Sequence, residues 1–264
     1  MWRDHDEPGL TAETLQALFD NRIPAIRIPG FASPDECRDF AGAVAAAAQR
    51  RVTFSAKDGH ALSKPDIGYL GIFQHYYRHK GKSAYFADVP AAISERDRIF
   101  GSSFDPIARM TGHLRRVAPG RVGLAEEDGL GPYYAGIIRT MTVGAPLHSD
   151  FHRYYARGYR IGAIDAQIGW NIYAAGSGDG GELVIHNRPW TPEAKGGEIP
   201  ESFPLPRELV EGAERHEALI RAGDVIMFNT RNPHEIRPNN DDEVRVSLGT
   251  FVGRLPGGDI LLWS

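Results

Sequence analysis

A single cysteine, Cys37, excludes any internal disulfide and with it the small disulfide-stapled folds; a reducing, cytoplasmic setting is the expectation. No stretch approaches the roughly 20 consecutive apolar residues of a membrane-spanning helix. The N-terminal run Met1-Trp2-Arg3-Asp4-His5-Asp6-Glu7-Pro8 is polar and acidic, without the apolar centre of a signal peptide. There is no basic block, and the formal net charge of -4 gives no support for nucleic-acid binding. Internal repeats and low-complexity tracts are absent as well. What remains is a chain of 264 residues, 42% hydrophobic and 24% charged, which suffices for a sizeable core. Barrels and β-sandwiches commonly run to roughly 200–250 residues, so one domain over 1–264 is expected rather than two.

The local patterns divide the chain near residue 130. Before it the reading is mainly helical support with a lid; after it comes a β-barrel core. Thr11 can cap a helix running to Phe19, with Leu15, Leu18 and Phe19 on one side. The alternation in Ile23-Pro24-Ala25-Ile26-Arg27-Ile28, closed by Pro29-Gly30, predicts a short strand and turn. Ser33-Pro34-Asp35-Glu36 has the composition of a capping box with proline at the first helical position, predicting a helix to about Arg50 along Phe40, Val44 and Ala48. Residues 51–90 read as irregular, either a loop packed on the barrel or a substrate lid in which Phe73, His75 and their neighbours form walls. Asp105 and Pro106 open another helix through Leu114 that ends near Pro119-Gly120.

From Tyr133 the period becomes two. Strands are expected over Tyr134–Val143, Gln167–Tyr173, Glu182–His186, Ala218–Arg221, Val225–Asn229, His234–Arg237, Glu243–Phe251 and Ile260–Trp263. Many short strands punctuated by glycine and proline, after a helical lead, give an α+β fold with a jelly-roll, cupin-like double-stranded β-helix core.

His148-Ser149-Asp150 lies at the mouth of one of these strands. On extended backbone an imidazole and a carboxylate two residues apart share a face. His234, in Asn232-Pro233-His234-Glu235, can supply a third ligand from a distant strand. Two histidines and one carboxylate form a facial triad that leaves adjacent positions on iron(II) open, as oxygen-activating non-haem sites require. Arg245-Val246-Ser247 follows by eleven residues. Its arginine and serine point the same way and can grip a carboxylate through a planar fork and a hydroxyl.

With these residues in place, the chain resembles the iron(II)/2-oxoglutarate-dependent oxygenases. Within them it is most similar to the free-standing aliphatic halogenases of the welwitindolinone type and their hydroxylase relatives. The likeness starts at Ile138-Arg139 and passes through Gln167-x-x-Trp170-x-Ile172 and Gly180-Gly181-Glu182-Leu183-Val184 to Trp190. It weakens around Ala222-Gly223-Asp224, then resumes from His234 to Leu262-Trp263-Ser264. The resemblance implies iron(II), 2-oxoglutarate and O2 as cofactors and co-substrates. His148, Asp150 and His234 would hold the metal, and Arg245 and Ser247 the far carboxylate of the keto acid. In the halogenases a glycine stands where this chain has Asp150, which opens a position for chloride; a carboxylate there implies oxygenation instead. The expected reaction is hydroxylation of an unactivated carbon of a small metabolite, amino-acid-like or alkaloid-like or anionic, with succinate and CO2 as co-products.

Other readings stay open. A desaturase or cyclase would use the same chemistry, and a non-catalytic cupin-like module or a zinc enzyme would use the same triad. Neither of the last two explains the arginine-serine pair. Candidate substrate contacts are Arg139, Phe151, His152, Arg153, Trp170, Phe73 and His75. For Arg139 an ion pair with a nearby acid competes with substrate contact, for Trp170 the core competes, and His186 and His216 read as ordinary strand histidines.

Overall fold

The computed structural model describes Trp2 and residues 5–53, 66–77, 79–176, 180–191, 204–239 and 243–264. The first helix, α1 (Ala12–Phe19), is capped as expected: Thr11 Oγ1 accepts from the Thr14 N–H, and Thr14 Oγ1 accepts from the Thr11 N–H. After β1 (Ala25–Ile28), α2 (Pro34–Ala46) opens on the Ser33–Glu36 capping box and stops short of Arg50, where β2 (Arg50–Thr53) begins. β3 (Asp66–Leu70) follows. Then comes α3 (Lys82–Gly101), much of which falls where the sequence reads as irregular. Gly81 offers no side-chain cap and Pro90 sits inside the helix, so both local cues fail. Its buried positions, Tyr85, Phe86, Val89, Ala92, Arg96, Ile99 and Phe100, nevertheless recur at helical spacing. The lid expected over 51–90 lies partly outside the described residues; within them, Gln74–Tyr77 is one turn of 3-10 helix. α4 (Pro106–Val117) starts on the Asp105 cap.

The remaining strands are β4 (Val122–Leu124), β5 (Glu126–Glu127), β6 (Gly131–Pro132), β7 (Ile137–Met141), β8 (Ala145–His148), β9 (Ala166–Ala175), β10 (Leu183–His186), β11 (Arg215–Ala218), β12 (Val225–Phe228), β13 (His234–Ile236), β14 (Arg245–Arg254) and β15 (Ile260–Trp263). β11 lies three residues before the expected Ala218–Arg221. There Ile220 is buried but Leu219 is 49% exposed, and no strand pairing forms.

From β7 to β14 the chain winds between two sheets. One holds β12-β9-β14-β7 and the other β11-β10-β13-β8, which is the double-stranded β-helix expected from the sequence. The larger sheet is extended by strands of the first half, β1 beside β12 and β3 beside β7, so that half is less purely helical than its sequence suggests. Along β9 the even-numbered Ile168, Trp170 and Ile172, with Val246, Leu248 and Val252 of β14, form the outer face. It packs on Leu15, Leu18, Phe40, Val44, Met110 and Leu114 of α1, α2 and α4. Arg109 of α4 pairs with Glu36 of α2 and donates to the Phe31 carbonyl, tying the helices together. The odd-numbered side chains of β9 and β14 face the other sheet. Among the described residues no helix is long and apolar enough to cross a membrane.

Candidate metal centre

β13 begins and β8 ends at paired positions. Register places His234 directly opposite His148, with ring centroids 4.1 Å apart. Asp150 reaches them by a route the sequence does not foresee. β8 stops at His148, so Asp150 stands in the following turn instead of on the same extended strand. Its N–H donates to the Thr230 carbonyl at 2.9 Å, and its own carbonyl accepts from Thr230 Oγ1 at 2.9 Å and Gln167 Nε2 at 3.2 Å. This clasp returns the carboxylate to the histidines, with Asp150 Oδ2 3.8 Å from Nε2 of each.

One ligand atom from each of His148, Asp150 and His234 lies within 4.8 Å of the others, a set able to hold a metal ion. Each histidine turns Nδ1 to a backbone carbonyl, Pro146 at 2.7 Å and Asn232 at 2.9 Å. That fixes the tautomer with the Nε2 lone pair facing the centre, the arrangement metal-binding histidines use. Burial pushes the Asp150 carboxyl above the usual range, with His148 and Arg139 opposing it. Burial, then the neighbouring His148, holds His234 well below the ordinary histidine value. A neutral imidazole beside a desolvated carboxylate suits a divalent cation. His148 and Asp150 keep 17% and 30% of their side chains exposed against 5% for His234, so the centre opens on their side.

Arg245 and Ser247 lie on the inner face of β14. The Arg245 side chain is buried; Nη1 donates to the Gly181 carbonyl at 2.9 Å, Nη2 rests on the Met141 sulfur, and Nε is unpartnered. No carboxylate pairs with it among the described residues. Burial draws its guanidinium below the ordinary value, with Tyr173 opposing. Gly181 has φ +73°, and a Cβ there would stand 2.8 Å from Arg245 Nη1, so glycine keeps the cradle open. Tyr173 pairs with Ser247 across β9 and β14, and its buried hydroxyl has no partner. Burial raises that phenol to about 12 against the pull of Arg245 and Arg139. Tyr173 and Asn171 were not singled out from the sequence. The cue was the alternation Gln167-Gly169-Asn171-Tyr173 against Ile168-Trp170-Ile172.

The other candidates separate. Arg139 lies opposite Ser247 in register, with its guanidinium 5.4 Å from the Phe73 ring centre, and it interacts electrostatically with Asp150. Phe73 and His75 are in contact at 5.4 Å between ring centroids, and His75 influences His152. His152 starts a short helix, α5 (His152–Tyr155), instead of continuing a strand. Its ring is buried 4.7 Å from Phe251 and 5.3 Å from Trp263, both nitrogens unpartnered, and burial pushes it down to about 3.

One substrate assignment is corrected, and two others are placed. Trp170 is fully buried on the outer face, against Phe31 and away from the triad, as its place in the alternation dictates. Phe151 is buried in a second apolar cluster under the Arg231 guanidinium. Arg153 is exposed and donates to the Ile164 carbonyl. His186 and His216 are strand histidines beside Glu235 and Glu7, as expected. Two surface hollows, of about 430 and 260 Å³, are lined by Glu127, Tyr159 and Arg160 and by Asn187, Arg188 and Glu214, and neither includes a triad residue.

No protein-family model matches the chain. Its structure is similar to that of an N-substituted L-amino acid dioxygenase from Burkholderia ambifaria, solved in complex with α-ketoglutarate. The TM-score is 0.58 at 14% identity, over 96% of this chain and 91% of that one, a likeness of fold. It is 28% identical over 134 residues to the L-γ-glutamyl-L-propargylglycine hydroxylase of Streptantibioticus cattleyicolor, covering 50% of this chain and 49% of that protein. A longer match, 33% identity over 213 residues, spans 76% of this chain and 86% of its relative, and on that match the chain belongs to the family of leucinostatins biosynthesis cluster protein S from Purpureocillium lilacinum.

Proposed function

We propose that the protein is an iron(II)- and 2-oxoglutarate-dependent oxygenase that hydroxylates a carbon of a small metabolite, releasing succinate and CO2, in a cytoplasmic setting. One observation carries the reading. A metal-ligand triad and a buried arginine without a carboxylate partner among the described residues share the interior of one double-stranded β-helix. An uncompensated buried guanidinium is costly, and a dicarboxylate bound to the metal at one end and to Arg245 at the other would relieve that cost. When bound, iron(II) with the keto acid supplies the oxidising power for O2-dependent attack on an unactivated carbon.

The chain's own residues do the rest. His148, Asp150 and His234 would hold the metal on one side only, leaving the opposite side for co-substrates. Arg245 and Ser247, with Tyr173 beside them, would orient the far carboxylate. The apolar packing around Phe251, His152 and Trp263 excludes water. Asp150 occupies the position that the halogenases leave to chloride, which supports oxygenation over halogenation. The relative named a hydroxylase supports hydroxylation over desaturation or ring closure. A metal-storing module would have no use for Arg245.

The test is an anaerobic titration of metal-free protein with iron(II) and then 2-oxoglutarate. A visible charge-transfer band requiring both additions is expected. Arg245→Ala should weaken the 2-oxoglutarate dependence of that band about 100-fold, the worth of a bidentate charged pair. A protein that binds iron but gives no band, or an Arg245→Ala variant that matches wild type, would overturn the assignment.

A further inference from the structure

Arg139 makes no hydrogen bond and no ion pair among the described residues, yet it is half-buried on the inner face of β7 within electrostatic reach of Asp150. On β14 its opposite neighbour is Ser247; one pleat further, Gly249 faces Asn171 on β9. A Cβ added at Gly249 would stand 2.8 Å from Arg139 Nη1 and 2.3 Å from Asn171 Oδ1, so the missing side chain leaves a floor over which a donor, the guanidinium, and an acceptor, the amide oxygen, converge. The Phe73 ring backs the guanidinium at 5.4 Å, leaving its edge for a planar partner. Asp150 is the acid that Arg139 feels electrostatically, and it forms no ion pair with it. As a metal ligand, Asp150 would in any case have its charge engaged.

We infer that Arg139, over the floor of Gly249, forms a second carboxylate seat with the Asn171 Oδ1 acceptor beside it, and that the substrate fills it. The substrate is therefore a carboxylic acid, held by its carboxylate beside Asp150 with an apolar portion lying toward Phe73 and Phe251. This rests on the oxygenase reading. Arg245 pairs with Met141 and Ser247 with Arg139, so Arg139 adjoins the Arg245 seat across Ser247, and the two guanidiniums come from different strands. The keto acid's far carboxylate and the substrate's carboxylate thus meet different arginines.

The probe is hexanoate, with hexanamide as its uncharged counterpart, titrated calorimetrically into protein loaded with iron(II) and saturating 2-oxoglutarate. Wild type should bind hexanoate and not hexanamide. Arg139→Gln should weaken hexanoate at least about tenfold, as expected for loss of a charged hydrogen-bonding partner. Arg139→Lys should recover part of that loss, and Gly249→Ala should weaken binding by filling the floor. The 2-oxoglutarate titration of Arg139→Gln should stay within about twofold of wild type, which also shows that the variant is folded and loaded. Absence of hexanoate binding to wild type, equal binding by Arg139→Gln, or a 2-oxoglutarate defect in Arg139→Gln as large as that of Arg245→Ala would each overturn the inference. If the charge-transfer band never forms, the oxygenase reading fails by itself, and the same hexanoate titration on the metal-free protein still decides whether Arg139 seats a carboxylate.

Discussion

The two faces of the larger sheet are made by the same strands and differ in almost every physical respect. The outer face of β9 and β14 is Ile168, Trp170, Ile172, Val246, Leu248 and Val252, closed by three helices. The inner face, one residue out of phase, carries Gln167, Asn171, Tyr173, Arg245, Ser247 and Gly249. Among the described residues burial leaves Tyr173 Oη and Arg245 Nε without partners there, as it leaves Trp170 Nε1 and Thr250 Oγ1 on the outer face, but only the inner face buries a charge. Stability and function are thus laid down by one alternation. The outer face gains by excluding water from apolar surface. The inner face accepts a buried guanidinium that a ligand carboxylate would satisfy, which is where a fold departs from its own packing rules.

The largest effect expected from breaking that contrast is on stability. Trp170→Ala should cost about 3–5 kcal/mol, the usual range for truncating a buried large aromatic. Because the ring faces the helices, the 2-oxoglutarate titration of the folded fraction should remain within about twofold of wild type. A substrate-lining Trp170 would show the reverse, with little loss in denaturant melts and a marked loss in binding or turnover.

Next in size is a pH effect of the inner face. Buried His152 and His234 have folded-state values below that of a free histidine, so the unfolded chain takes up protons first as pH falls below about 6.5. Their contribution is fully present above that value and is lost on acidification toward the folded-state values. Asp150 is raised instead, so it returns some stability when its folded form protonates. For His152 alone the loss between pH 6.5 and pH 5 is about 2 kcal/mol at 1.4 kcal/mol per pH unit. Denaturant melts of metal-free wild type and His152→Phe across this range should differ in slope by that amount, and parallel curves would sink the assignment.

How much of this was legible depended on whether a feature is local. Thr11 and Ser33 announced their helices because a capping box is complete within four residues. The meeting of His148, Asp150 and His234 was legible because their chemistry is distinctive, although the turn that carries Asp150 was not, since its clasp comes from Thr230 and Gln167. α3 was hidden by a helix start without a side-chain cap and an internal proline. Tyr173 and Asn171 were hidden for another reason. A tyrosine or asparagine on a strand is commonplace, and only the partner strand shows that one sits opposite Ser247 and the other opposite Gly249. The alternation that excludes Trp170 from the site admits both, once Gln167 marks which phase faces inward.

The smallest expected effect sharpens the comparison most, because it asks whether an inner-face group works against the fold. Tyr173 buries a hydroxyl with no partner among the described residues, within electrostatic reach of Arg245 and Arg139. In the ligand-free protein that hydroxyl stays desolvated without a bond, so Tyr173→Phe should leave denaturant stability unchanged or raise it by up to about 1 kcal/mol. On the proposed oxygenase reading the hydroxyl would gain a carboxylate acceptor from bound 2-oxoglutarate, and its loss should weaken the keto acid about five- to tenfold, the worth of one hydrogen bond to a charged group. Melts and titrations on the same two proteins read both quantities. Opposite signs would show that the inner face gives up stability for binding at a single atom. A Tyr173→Phe variant that is less stable without ligand and normal in its keto-acid titration would place that hydroxyl with the core, and the contrast between the two faces would then begin only at Ser247 and Arg245.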